Sequence, residues 1–244
     1  QVQIEEKLVS ESDVVCCTLL QSAKKSVVNF KFEYLFVDEA TQVDQVTSII
    51  PLIHQPSRMI LLGDHKQLDP FIPEILARKH PFSTQSLYLY LISKNIKSVM
   101  LRTQFRMHPL ISEFPNKMFY DNQIINADGM EEKTYSKLVG IKTPILFVDV
   151  KKGREMKVFG SSYRNDLEAD MVITLLNNFM KNNVPGSEVG VITPYFGQKD
   201  LLRNKASVLK YDGVRISSVD SFQGSERDYI IFSLVRENRE GKFG

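Results

Sequence analysis

The sequence has little that would suit an oxidising or membrane environment. Its only cysteines, Cys16 and Cys17, are adjacent within the apolar run 14–17. Neighbours on a strand point to opposite faces, so the two suit neither an ordinary disulfide nor a chelating pair. The start QVQIEEKLVSESD is polar and acidic, and no apolar run approaches membrane-spanning length. We therefore expect a protein of the cytoplasm or nucleus with no membrane partner.

The chain also lacks a strong charge of either sign and a phosphate-binding loop. Its net charge is +2, and no Gly-x-x-x-x-Gly-Lys-Ser/Thr occurs. Hydrophobic residues at 43% and charged residues at 25% exclude a largely disordered chain. A nucleic-acid partner would have to be held by local patches, and solvated surface residues explain these equally well. The patches are Lys24, Lys25 and Lys31, and Lys199, Arg203 and Lys205.

Short apolar runs recur along the chain and predict strands buried on both faces of parallel sheets. They cover residues 14–17, 34–38, 58–64, 145–150, 189–194, 214–220 and 229–235. Between them, residues 166–180 form a helical stripe that is typical of core packing. Its apolar members are Leu167, Met171, Leu175, Leu176 and Phe179. The pattern predicts an α/β fold with two sheets and with chemistry at strand ends.

The spread of motifs over 244 residues favours two modest domains over one large core. We place the boundary near residues 96–101, which gives a first domain over 1–98 and a second over 99–244. The polar stretch 121–143 has no clear periodicity and predicts a connecting loop.

Asp38 and Glu39 directly follow a predicted buried strand. Such a pair suits an aspartate that holds Mg²⁺ on phosphates and a glutamate that orients an attacking water. A solvated acidic turn would look the same. The next residues, Ala40, Thr41 and Gln42, favour the catalytic interpretation.

A second predicted strand leads into the segment 63–70, GDHKQLDP. Gly63 allows close approach of the backbone to a ligand, and the Gln67 amide can both donate to a phosphate oxygen and accept from water. The alternative is a simple Gly-Asp turn, with Asp64 and Asp69 as turn residues.

The segment QFRMHP, residues 104–109, offers a charged fork in Arg106 and a flat ring in Phe105. The first suits a phosphate and the second a base, although by residue type alone a surface arginine and a core phenylalanine are favoured. His108 precedes a proline and predicts the start of a helix.

Two later segments place polar and aromatic groups after strands. Thr193, Pro194 and Tyr195 can contact phosphate and stack a base, as in binding of single strands without sequence readout. Near 219–232, Gly224 can admit a phosphate close to the backbone, while Glu226 and Arg227 could equally pair on the surface.

Together these segments, in this order, resemble the superfamily 1 helicases of the up-frameshift and senataxin type over nearly the whole chain. VVCCT at 14–18, SEFPNKMFY at 112–120 and SSYRNDLEAD at 161–170 extend the match. The resemblance implies two RecA-like domains, both incomplete here, with ATP in the cleft between them. It also implies 5′-to-3′ movement on single-stranded RNA or DNA and protein regulators of RNA processing or decay.

The resemblance also implies roles for single residues. Asp38 becomes the Mg²⁺ ligand, Glu39 the catalytic base and Gln67 the γ-phosphate sensor. Arg106 becomes one of the arginines that reach the γ-phosphate, and Phe105 replaces a tyrosine that commonly stacks near adenine. The remaining matches are Gly224 and Glu226 beside the nucleotide, and Thr18, Thr193, Pro194 and Tyr195 on nucleic acid.

The family needs a P-loop lysine and a second arginine that the printed sequence does not contain. We therefore expect the 244-residue chain by itself to hydrolyse ATP negligibly, since a transition-state arginine alone can contribute on the order of 10³–10⁵ in rate. Phosphate release measured with saturating single strand tests this. Robust turnover that is abolished by Glu39→Gln would contradict it.

Two other functions fit the same residues. One is an ATP-gated RNA-binding clamp that remodels protein–RNA complexes with little unwinding. The other is a metal-dependent nuclease, because Asp149 at a strand end and Glu155 two residues before Lys157 are the residue types of a common nuclease core.

Overall fold

A computed structural model describes residues 2–79, 84–132, 143–158, 160, 162–209 and 211–238 of the chain. The chain divides into two compact units, residues 1–101 and 102–244. No helix in these described ranges combines the length and apolar character needed to cross a membrane.

The described residues of the first unit form one parallel two-stranded sheet and five α-helices. Strand β1 (Tyr34–Val37) pairs with β2 (Arg58–Leu61), with Tyr34 opposite Arg58 and Val37 opposite Leu61. The helices are α1 (Val2–Ser10), α2 (Leu19–Ser22), α3 (Gln45–Ile49), α4 (Glu74–Lys79) and α5 (Leu87–Ser93). Because the two strands are parallel, both end at the same edge of the sheet, and the loops after them become neighbours.

Three small sheets lie in the part of the second unit that the structure describes. Its largest sheet is parallel with strand order β8-β7-β9, formed by β7 (Val189–Ile192), β8 (Arg215–Ser217) and β9 (Tyr229–Phe232). Strands β3 (Thr103–Gln104) and β4 (Ile125–Asn126) pair in parallel, and β5 (Met156–Lys157) and β6 (Tyr163–Arg164) form an antiparallel pair. The helices are α6 (Pro109–Phe119), α7 (Asp166–Lys181), α8 (Phe196–Val208) and α9 (Val219–Phe222). The α/β class predicted from the apolar runs is confirmed.

The core of the second unit lies where α7 and α8 pack on β7. Val189 and Val191 point to one face of β7 and are fully buried, and on the other face Gly190 is buried and Ile192 half-buried, so the prediction of a strand covered on both faces holds for β7. Helix α7 is also confirmed, but its buried stripe differs from the predicted one. Leu167 is exposed, and the buried residues are Ala169, Val172, Leu176 and Phe179, which follow i, i+3, i+7, i+10 spacing.

The prediction that β1 is buried on both faces is wrong. Tyr34 and Phe36 are 47% and 64% exposed, while Val37 is buried. Alternate residues of a strand point to the same face of its sheet, so Tyr34 and Phe36 share the face that the described part of the first unit leaves uncovered.

Three local predictions also change. The runs 14–17 and 145–150 have no strand assignment, because neither pairs with a neighbour in the described residues. The predicted loop 121–143 contains strand β4 in its described part, up to residue 132; residues 133–142 lie outside the described ranges. Strand β4 has only two residues and is therefore too short to give a periodic signal in the sequence.

Candidate nucleotide and nucleic-acid sites

The turn that follows β1 carries Asp38 and Glu39. Glu39 has φ +50° and ψ +39°, a left-handed conformation that costs a residue with a side chain about 1–3 kcal/mol. Asp38 Oδ1 accepts from the Glu39 amide at 3.0 Å, which holds the bend. The Glu39 carboxylate in turn accepts from Gln42 Nε2 at 3.0 Å. The bend therefore leaves Asp38 exposed at the end of β1 and fixes the orientation of Glu39.

The loop after β2 packs against this turn. The Ala40 amide donates to the Leu62 carbonyl at 2.8 Å, and the Leu62 amide donates to Val37 at 2.9 Å. A Cβ on Gly63 would lie 3.0 Å from Thr41 Cγ2 and 3.1 Å from its backbone nitrogen. Glycine therefore permits the close approach of the two loops.

Gln67 lies in this second loop, and Asp64 orients it. Asp64 Oδ2 accepts from Gln67 Nε2 at 2.9 Å, while Oδ1 accepts from the Lys66 amide at 3.0 Å. Asp64 is thus a turn residue, as predicted, and it also holds the amide of the predicted phosphate sensor. The Gln67 side chain is exposed.

The first unit offers donors that fit Mg²⁺ bound together with phosphates. Asp38 is an exposed carboxylate, and carboxylate oxygen is a hard ligand of the kind that Mg²⁺ prefers. Among the described residues no group of three or more His, Cys, Asp or Glu side chains could cage a metal. One carboxylate with substrate phosphates is the usual protein contribution to a Mg²⁺ site. Beside it, the buried Thr41 hydroxyl has no hydrogen-bond partner within the described ranges.

In the second unit, the Gln104 side chain shapes the loop that carries Arg106. Its Oε1 accepts from the amides of Arg106 and Met107 at 2.9 and 2.7 Å. Its Nε2 donates to Met107 O at 2.7 Å and to Asn126 Oδ1 at 2.8 Å. The same Asn126 oxygen accepts from the buried Ser112 hydroxyl at 2.8 Å. These bonds tie the arginine loop to β4 and α6.

His108 starts α6, as predicted. Its Nδ1 accepts from the Leu110 amide at 3.1 Å, and Pro109 occupies the first helical turn. A proline is favourable there because its missing N–H would have no partner within the helix.

Arg106 and Glu226 are brought together, although 120 positions separate them. Arg106 Nε lies 2.6 Å from Glu226 Oε2, and both side chains are about two-thirds or more exposed, at 72% and 67%. Phe105, which precedes Arg106 in the sequence, is 70% exposed. It is therefore not a core residue, although its residue type alone favours that position. Gly224 has φ +70°, and a Cβ there would meet nothing within 4 Å. The structure thus gathers two predicted nucleotide-binding side chains on one exposed surface.

The predicted nucleic-acid contacts differ in accessibility. Thr18 is exposed and caps α2, because its hydroxyl accepts from the Gln21 amide at 3.3 Å. Pro194 is exposed and Tyr195 is half-buried. Thr193 is 0% exposed, and its hydroxyl accepts from the Tyr195 amide at 3.5 Å. In this structure Thr193 supports the bend at the end of β7.

Tyr195 belongs to a cluster that sequence reasoning missed. Its ring meets Tyr163 edge to face at 5.7 Å, and Arg236 Nη1 donates to its hydroxyl at 3.4 Å. The Arg236 guanidinium lies 4.3 Å from the centre of the Tyr163 ring. Its Nε is 2.8 Å from Glu155 Oε2.

Glu155 holds this cluster together through one carboxylate oxygen. The same Oε2 also accepts from the Glu237 amide at 3.0 Å and from Asn238 Nδ2 at 3.2 Å. Hydrogen bonding from Arg236 lowers the pKa of the Glu155 carboxyl and raises the pKa of the arginine, so both stay charged. A carboxylate with these partners favours a structural role over the nuclease alternative.

Comparison with known proteins identifies the family. A family model described as an AAA domain matches residues 83–244, and another with the same description matches residues 1–74. Arabidopsis thaliana has a "Regulator of nonsense transcripts 1 homolog" that is 37% identical over 253 residues. The "ATP-dependent helicase NAM7" of Saccharomyces cerevisiae is 34% identical over 252 residues, and the "ATP-dependent helicase upf1" of Schizosaccharomyces pombe is 32% identical over 250. The chain belongs to this AAA-domain family, among the superfamily 1 helicases of the up-frameshift type.

Each of these alignments covers 98% of this chain. The chain spans 20%, 26% and 27% of the length of the Arabidopsis, Saccharomyces and Schizosaccharomyces relatives, respectively. The family predicted from the motifs is confirmed, and with it the interpretation of the α/β units as RecA-like domains.

Proposed function

We propose that the protein containing this chain is an ATP-driven helicase or translocase that moves 5′-to-3′ on single-stranded nucleic acid. The observation that carries the proposal is the pair of loops after β1 and β2, where the strained Glu39 turn and the Gln67 loop pack on each other through Gly63. Two of the relatives are named ATP-dependent helicases, which supports the same activity.

Each of the polar side chains at these loops would have a separate role in ATP hydrolysis. Asp38 would hold Mg²⁺ through its exposed carboxylate, and Glu39, oriented by Gln42, would accept the proton of an attacking water. Gln67, oriented by Asp64, would donate to a γ-phosphate oxygen. When bound, ATP supplies the phosphoryl group and Mg²⁺ neutralises charge on its phosphates. Arg106 would stabilise the negative charge of the phosphoryl group during its transfer.

The substrate strand is proposed to contact the exposed residues Thr18 and Pro194 and the half-buried Tyr195. Among the relatives, the names that mention nonsense transcripts support RNA as the substrate and RNA-decay regulators as partners. The adjacent free cysteines Cys16 and Cys17, both exposed, suit a reducing compartment, the cytoplasm or the nucleus.

Steady-state ATP hydrolysis by the intact protein tests the proposal. We expect single-stranded RNA to stimulate turnover and the protein to displace the complementary strand from a duplex with a 5′ overhang. Stimulated hydrolysis without displacement would identify a clamp, and a 3′ overhang requirement would refute the polarity. A rate of ATP hydrolysis that does not change when single-stranded RNA is added would contradict the proposal as a whole.

A further inference from the structure

Tyr195 makes contacts within the protein, whereas the next residue, Phe196, has an exposed side chain. The Tyr195 ring is half-buried against Tyr163, and its hydroxyl accepts from Arg236. Phe196, the first residue of α8, is 62% exposed. An aromatic ring that stacks on a base needs an open face, so the accessible ring at the end of β7 is that of Phe196.

A cation accompanies this ring. Lys199 Nζ lies 4.3 Å from the centre of the Phe196 ring, and Arg203 follows one helical turn later on the same side of α8. Within the described part of the chain, neither Lys199 nor Arg203 forms an ion pair with a carboxylate. Arg203 instead donates to the Ile216 carbonyl at 2.8 and 3.1 Å. Asp200 is the one acidic residue of α8, so the surface keeps an excess of positive charge.

We propose that Phe196 is the base-stacking residue of the second unit's strand-binding surface and that Lys199 contacts the adjacent phosphate. The ligand is single-stranded nucleic acid, and this inference rests on the proposed function. The surface continues directly from Pro194 and Tyr195 at the carboxyl end of β7. Tyr195 then has a positioning role: it fixes the start of α8 and thereby the direction of the Phe196 ring.

The physical requirements of single-strand binding match this arrangement. A ring accepts any base because every base has an apolar face, and a lysine on a flexible stem can follow the backbone without demanding one geometry. Lys199 Nζ already lies over one face of the Phe196 ring, held there by attraction between the ammonium and the ring electrons.

Fluorescence anisotropy of the nucleotide-free intact protein with a labelled 15-mer of oligouridine tests the proposal. Phe196→Ala should raise Kd by about 5- to 150-fold, and Phe196→Trp should restore affinity because the stacking surface returns. Lys199→Ala should weaken binding and lower the slope of log K against log salt by about 0.7. Asp200→Asn should strengthen binding. Val208→Ala, at the far end of α8 and 79% exposed, is the matched control and should leave Kd unchanged.

Tyr195→Phe separates the two aromatic residues. It keeps the ring against Tyr163 and removes only the bond from Arg236, so affinity should change much less than in Phe196→Ala. Tight binding by the wild type together with an unchanged Kd for Phe196→Ala would overturn this inference and leave the proposed function standing. Failure of the wild type to bind the oligonucleotide would instead count against the proposed function. Loss of binding in Phe196→Ala that Trp does not restore would also overturn the stacking role.

Discussion

Replacing Glu39 by Gln is expected to lower the turnover number for ATP in the intact protein by about 10²–10⁴-fold, with little change in nucleotide affinity. The substitution removes the proton acceptor and keeps the size of the side chain. It also keeps an oxygen that can accept from Gln42 Nε2, so the left-handed turn and the packing of Gly63 on Thr41 should survive. Single-turnover hydrolysis and equilibrium binding of a fluorescent ATP analogue measure the two effects separately.

Glu33→Gln is the matched control for this experiment. Glu33 is an exposed carboxylate just before β1, and it lies at the opposite end of the strand from Glu39. Its amide variant should hydrolyse ATP at the wild-type rate. Near-normal turnover of Glu39→Gln with RNA present would remove Glu39 from catalysis, and equal loss of turnover and binding would indicate a structural role.

The loops that carry the first unit's chemistry could be predicted because local signals define them. An apolar run ends, a carboxylate or glycine follows, and parallel strands place such ends at one edge of a sheet. Strands β1 and β2 and the turns after them follow this rule. The burial of β1 could not be predicted, because the run 34–38 looks the same whether one or both faces are covered.

Contacts between distant segments left no signal in the sequence. Gln104 was part of a recognised motif, but its bond to Asn126 spans 22 positions and depends on a two-residue sheet. Tyr163 and Arg236 converge on Tyr195 from 32 and 41 positions away. Residue type and spacing therefore identified Tyr195 as an aromatic at a strand end, and only the fold shows that its ring already has partners.

Glu226 illustrates the same limit. Its neighbour Arg227 offered the obvious surface partner, yet Arg227 Nη1 donates to the Glu226 carbonyl at 2.7 Å while the carboxylate pairs with Arg106. A sequence pattern ranks near neighbours first because separation along the chain is all that it contains. The fold instead brings together the two segments around residues 106 and 226, which the family resemblance had assigned to the nucleotide independently.

Arg106→Ala is expected to lower ATP turnover in the intact protein by about 10³–10⁵-fold, the range of an arginine that stabilises a transferring phosphoryl group. Arg106→Lys should recover little of this, because an ammonium lacks the planar fork. The Gln104 side chain bonds to backbone groups of the loop, so the loop should keep its shape in both variants. The measurement is turnover at saturating ATP and RNA, with melting temperature as the test of folding.

Glu226 distinguishes a catalytic Arg106 from one that only forms a surface ion pair. Both side chains are largely exposed, and exposed pairs contribute little to folding, so neither Arg106→Ala nor Glu226→Gln should lower the melting temperature appreciably. If the pair were the whole role of Arg106, the two variants would have the same turnover. If Arg106 exchanges the carboxylate for a phosphate, Arg106→Ala should be far more severe than Glu226→Gln. Arg102→Ala, an exposed arginine four residues earlier, should behave as the wild type. Equal and small effects in the Arg106 and Glu226 variants would leave the arginine with no part in hydrolysis.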